Sequence, residues 1–214
     1  MTRHAAPGEM LLDYVAGTLP EGPALIVATQ AALVADVRAS IAALTAAGGA
    51  LLDALPPAAL DEAALDAVMA RLDEAGPADA APPRPVVVDG VTLPAPLARA
   101  LGDRGGWRGF WPGVREMAIP LADGVHRVAL MRIAAGRSIP AHRHGGVEYT
   151  LVLDGGFVDG RGRYERGDLC VATPETEHRP VADAHGACLC LAVSQAPIAM
   201  TGPLARLLNP FLRR

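Results

Sequence analysis

The chain has 214 residues, 51% of them hydrophobic and 20% charged, which excludes a disordered polypeptide and leaves material for a sizeable core. Net charge is only −4, all 19 basic residues are arginine, and no long arginine cluster occurs, which argues against a dedicated nucleic-acid binder. The N-terminus MTRHAAPGEM lacks the apolar core of a signal peptide, and three cysteines near the C-terminus do not make a secreted disulfide framework. A cytoplasmic protein without membrane association is the expectation.

Up to about residue 74 the pattern is helical. The spacing predicts a short helix over 8–17 (GEMLLDYVAG), ended by Gly17. Pro23 sits where a first helical turn tolerates it. Val27, Ala31, Val34, Val37, Ile41 and Leu44 then recur at steps of three and four through residue 47. This is one helix, or two with a break near Ala35, and Gly48-Gly49 should end it. Gln30, Asp36 and Arg38 interrupt the stretch well short of a membrane span. After Pro56-Pro57, residues 61–74 (DEAALDAVMARLDE) form another amphipathic helix with acids in its first turn.

Residues 76–85 (GPADAAPPRP) carry no hydrophobic periodicity and read as a linker. The division is 1–78 helical domain, 79–92 linker and 93–214 second domain. Charge follows it: residues 1–84 are net −7, residues 85–214 net +3. Beyond the linker, short runs over 114–119, 126–133, 149–153, 169–172 and 188–193 alternate with Gly and Pro. Strands at that spacing predict a β-sandwich or barrel, and the fold class is α+β. Trp107, Phe110 and Trp111 cluster before the strands and read as packing; His126 has no partner pattern and should sit at the surface.

The sharpest chemical signal is His142-Arg-His144 followed by Glu148 and, further on, His178. Two histidines two apart on a strand face the same way. Three His and one Glu give a mixed N/O donor set suited to Zn, Fe, Mn or Ni. Cys188 and Cys190 also share a face of one predicted strand. They are core thiols or line the barrel interior near the metal, where they could sense redox change.

The segment Gly136-x5-His142-x-His144-x3-Glu148-x6-Gly155 matches the first cupin motif at every fixed position, and Gly167 to His178 keeps the spacing of the second. The chain therefore resembles the cupin family. That implies a double-stranded β-helix with His142, His144, Glu148 and His178 as metal ligands, holding one divalent ion, zinc favoured, with Fe, Mn or Ni open.

Further stretches extend the resemblance to ChrR-type cupin anti-sigma factors across nearly the whole chain: YVAGT at 14–18, VAT at 27–29, Glu177-His178, Cys188-Leu-Cys190-Leu-Ala192 and Pro210-Phe211. The resemblance implies an N-terminal helical anti-sigma-like domain ahead of a C-terminal cupin barrel. It also implies an extracytoplasmic-function sigma factor as partner. The barrel would then sense oxidative stress, through an oxidant or small ligand.

That family's helical domain holds a zinc through an early His and H-x3-C-x2-C. Here His4 remains, but the other positions are Gln30, Val34 and Val37, so no zinc is expected there and packing should replace it. A metal-dependent dioxygenase or isomerase is the alternative function, weakened by the lack of a legible general base and by the helical domain. A homodimer is left open.

Overall fold

The computed structural model describes residues 4–74, 85–102 and 105–201. Helix α1 (Gly8–Ala16) ends at Gly17, whose φ of 72° is the left-handed turn that glycine adopts without a Cβ penalty. Helices α2 (Glu21–Leu33) and α3 (Ala35–Asp53) are separate, because Val34 is extended at φ −123°, ψ 115°. The expected stop at Gly48-Gly49 is corrected: α3 runs through both glycines to Asp53. Glycine lowers helix stability but keeps its N–H, so it weakens a helix without forbidding it as proline does. Helix α4 (Ala64–Glu74) begins three residues later than expected.

Part of the expected linker is ordered. β1 (Val87–Val88) and β2 (Val91–Thr92) form a hairpin whose Asp89-Gly90 turn has positive φ at both residues, the geometry that matches strand twist. Helix α5 (Ala95–Leu101) follows and packs against α2 through buried Leu97 and Leu101. Seven residues are too few for a legible period.

The barrel is antiparallel throughout. Its main sheet comprises β3 (Arg108–Trp111), β4 (Val114–Ile119), β5 (Arg127–Ile133), β7 (Glu148–Asp154), β10 (Leu169–Ala172) and β12 (Cys188–Ser194), in the order β10-β7-β12-β5-β4-β3. β8 (Gly156–Asp159), β9 (Gly162–Glu165) and β11 (Val181–Ala182) form a second sheet; β6 (His142–His144) pairs with β13 (Ile198–Met200). The expected packing of Trp107, Phe110 and Trp111 is seen at the β3 edge, where all three are partly buried. Arg115 stacks its guanidinium 5.5 Å above the Trp107 ring.

The main sheet is covered on both faces, which explains why β12 reads as an unbroken apolar run. Leu189, Leu191 and Val193 point outward into a core shared with Ile26 and Val27 of α2. Cys188 and Cys190 point inward among Met131, Val152 and Phe157. Helix α2 lies across β7 and β12, so the helical part is seated on the barrel wall.

The seat is specific. A Cβ on Gly22 would stand 2.9 Å from Cβ of His126, so only glycine lets the start of α2 come this close. Asp123 accepts the Gly22 N–H at 3.2 Å, and Glu21 accepts the Ala122 N–H at 2.8 Å. The surface position expected for His126 is corrected: its side chain is 1% exposed, and Nδ1 lies 2.9 Å from Asp123. Burial pushes the Asp123 carboxyl up, but hydrogen bonds from His126, Val125 and Gly22 outweigh it and hold the group at about 2.

Gln30 ties three parts of the chain together. It is fully buried, its Oε1 accepts the Ala6 N–H at 2.9 Å, and its Nε2 donates to the carbonyls of His4 and Gly167 at 3.1 and 2.9 Å. Gly167 belongs to the barrel, so one amide joins the N-terminal segment, α2 and the β9–β10 turn. Gln30→Leu keeps the bulk but leaves a buried N–H and a buried C=O unpaired, each costing roughly 1–3 kcal/mol. A loss of about 2–4 kcal/mol in denaturant unfolding is expected. A variant within about 0.5 kcal/mol of wild type would show that the amide holds nothing together.

Candidate metal centre

Strand pairing builds the centre. On β6 the burial alternates, His142 and His144 inward and Arg143 outward. His178 sits directly opposite His142: the two exchange both backbone hydrogen bonds at 3.1 Å. Glu148 opens β7 after the Gly145-Gly146 turn. A Cβ on Gly146 would lie 2.9 Å from Cβ of Gln195, so the turn needs glycine to bring Glu148 round to the histidines. The donor atoms of His142, His144, Glu148 and His178 all lie within 4.8 Å of one another. The four residues expected as ligands from the sequence are thus brought together.

Their protonation is set by their outer partners. His142 Nδ1 is 2.8 Å from the Pro140 carbonyl, which can only accept, so Nδ1 carries the proton and Nε2 a bare lone pair. His178 Nδ1 lies 3.3 Å from the Asp159 carboxylate, an acceptor for a proton on that nitrogen. The Nε2 atoms of His142 and His178 are 3.1 Å apart, and those of His144 and His178 are 3.0 Å apart. Imidazole nitrogens at that distance either share a proton in an N–H···N hydrogen bond or turn their lone pairs to a common cation. At metal–nitrogen distances of 2.0–2.1 Å, neighbouring ligand atoms are about 3.3 Å apart in a tetrahedron and about 2.9 Å apart in an octahedron. The residues present fit a divalent ion of that size.

Charge agrees with this. Burial and the neighbouring His178 lower His142 to about 4, so it is neutral at pH 7. Burial pushes Glu148 up, but the hydrogen bond from His144, 2.8 Å away, and the other imidazoles pull it below its usual value. A neutral imidazole and an ionised carboxylate are the forms that bind metal.

Cys190 lines the cavity beside the centre, with His142, Glu148, His178 and Thr150. Cys188 lies one inward position further along β12, opposite Ile133. The hydrogen bond with Cys188 and burial together push the Cys190 thiol well above its usual value, so it is protonated in this surrounding. Cys170, the third thiol, is buried in the same inner core.

The residues that stand at the positions of the family's helical zinc site do other work. The His4 ring lies on Tyr164 at 4.6 Å between centroids. Gln30 spends its amide on hydrogen bonds, Val37 is buried, and Val34 packs against Gly167. Sequence reasoning missed Asp159; nothing in its local pattern, a β-hairpin Asp-Gly, distinguishes it from a turn residue.

Fold and donors together define a cupin barrel with a three-histidine, one-glutamate cluster able to hold a metal, carrying a helical domain on its outer wall. The ChrR cupin-like domain family matches residues 103–198. The anti-sigma-E factor ChrR of Cereibacter sphaeroides is 40% identical over 218 residues, 99% of this chain and 98% of that protein. The crystal structure of Rhodobacter sphaeroides SigE in complex with the anti-sigma ChrR matches with a TM-score of 0.77 and 39% identity, over 91% of this chain and 99% of the matched one. The chain belongs to the ChrR family of cupin anti-sigma factors.

Proposed function

We propose that this protein is a cytoplasmic anti-sigma factor that sequesters an extracytoplasmic-function sigma factor through its helices and releases it when the cupin barrel is chemically altered. The similarity of both halves to an anti-sigma factor that forms a complex with its sigma factor carries the reading. The helices offer a surface for such a partner. Leu65, Val68, Met69 and Leu72 follow the i, i+3, i+4, i+7 rule on α4, yet all four are at least half exposed. Leu51 and Leu52 at the end of α3 are exposed as well. Helix α3 is long and apolar enough to cross a bilayer by length and composition alone; as part of a sigma-binding face, its exposed apolar residues need no membrane.

The barrel would hold one divalent ion, zinc by preference, on His142, His144, Glu148 and His178. Strand β12 supplies the coupling. Its inner face presents Cys190 to the metal cavity and Cys188 to the inner core beside it, and its outer face is the seat of α2. Oxidation of a thiol adds polar oxygen inside a packed barrel, which the interior accommodates only by moving the wall. A moving β12 shifts the seat of the helical domain. The enzyme reading is weaker: the inner cavity is walled by groups such as Met131, Ile139 and Phe157, and Glu116, the carboxylate that the adjoining pocket adds, is paired with Arg127.

The test is release of the sigma factor after a fixed dose of organic hydroperoxide. Wild type should release it. Glu148→Ala, and Cys188→Ser with Cys190→Ser, should bind the sigma factor normally and release it several-fold less. Equal release from all three proteins would sink the sensing role of the barrel.

A further inference from the structure

Behind His178, on the side away from the other ligands, lies a cluster that the metal centre itself does not use. Asp159 ends β8, and its side chain is fully buried. Its Oδ1 accepts the backbone N–H groups of Arg161 and Gly162 at 2.8 and 3.2 Å. Its Oδ2 faces the Arg161 guanidinium at 3.2 Å and Nδ1 of His178 at 3.3 Å. Arg161 is fixed in turn, donating to the Val171 carbonyl at 2.6 Å and to Cys170 Sγ at 2.8 Å.

Asp159, Cys170 and Nδ1 of His178 are close enough to form a second group of metal-binding atoms that shares His178 with the first. The cation in that second group is already present: it is the guanidinium of Arg161. A single imidazole stands between two sites, and its proton decides which one it serves. With Nδ1–H donated to the Asp159 carboxylate, Nε2 is turned toward His142 and His144.

We propose that Asp159 is the positioning residue for His178, fixing its tautomer and ring angle so that Nε2 faces the metal. The proposal rests on the reading of His142, His144, Glu148 and His178 as ligands. Four interactions on one carboxylate leave it no freedom to rotate, so the ring angle is set before any ion arrives. Outer partners of metal-bound histidines typically account for 10–100-fold in metal affinity.

The experiment uses the full chain and Zn²⁺ as the probe, in competition with a chromogenic chelator, for wild type, Asp159→Asn, Asp159→Leu and His142→Ala. Asp159→Asn keeps the size and an oxygen acceptor and should bind about tenfold more weakly than wild type; Asp159→Leu should lose about a hundredfold. Nitrogen-15 shifts of the His178 ring in the metal-free protein supply a second readout. Wild type should show Nδ1–H, and Asp159→Leu should move toward Nε2–H. If the leucine variant does not fold, the asparagine variant decides alone on affinity. Wild-type affinity in the folded variants, or weakened binding with the His178 tautomer of Asp159→Leu unchanged, overturns the proposal. Wild type binding Zn²⁺ no better than His142→Ala would instead overturn the ligand assignment, and this inference with it.

Discussion

Purified protein is expected to hold one divalent ion per chain, and His142→Ala combined with His178→Ala to hold none. The reason is the state of the two rings. Both Nδ1 atoms lie beside outer acceptors, which turns the two Nε2 atoms toward each other at 3.1 Å. Removing both rings leaves His144 and Glu148, a pair 2.8 Å apart that satisfies itself as a hydrogen bond or ion pair and has too few donors for tight binding. Elemental analysis after gel filtration reads the result directly. Two ions per chain would mean that the helical region has kept a site despite Gln30, Val34 and Val37. One ion surviving the double substitution would place the metal elsewhere.

The second large effect lies in the helical part of the chain. Leu65→Asp with Met69→Asp should abolish inhibition of the sigma factor and leave the fold intact. Leu65 is 69% exposed and Met69 50% exposed, so both new charges stay in water, and stability should change by no more than about 0.5 kcal/mol per site. In a complex these positions would be buried, and an unpaired carboxylate in an apolar interface is among the costliest changes an interface can meet. A loss of at least about 100-fold in affinity, close to 3 kcal/mol, is expected. Binding by titration calorimetry, with thermal unfolding alongside, separates the two effects. Unchanged affinity would move the sigma-binding surface off α4.

The metal cluster was legible because its information is local. His142, His144 and Glu148 lie within seven residues, and period-two alternation fixes the common face of the two histidines. His178 needed the barrel register to meet His142, yet its distance from Gly167 marks it in the chain. Periodicity left open one helix or two with a break near Ala35; the structure has two, separated at the extended Val34.

What escaped was set by tertiary contact. His126 carries no signal of burial, because the helix that covers it starts about a hundred residues earlier. Asp159 looks like any turn aspartate until His178 arrives from nineteen residues away. The sequence shows Gln30 as a failed zinc ligand. Only the structure shows the amide joining the N-terminal segment, α2 and the β9–β10 turn by hydrogen bonds. For the two cysteines, spacing establishes a common face but not which; the outward leucines against α2 decide it.

The most direct test is a transcription titration. The full chain is added in steps to polymerase loaded with the extracytoplasmic-function sigma factor that is its partner, on a promoter that this sigma factor serves. Transcription should fall to background near one equivalent, and the His142→Ala, His178→Ala protein should inhibit as well as wild type, since the proposed sigma-binding face is on the helices and not at the metal cluster. Transcription undiminished by a several-fold excess of the wild-type chain would contradict the account.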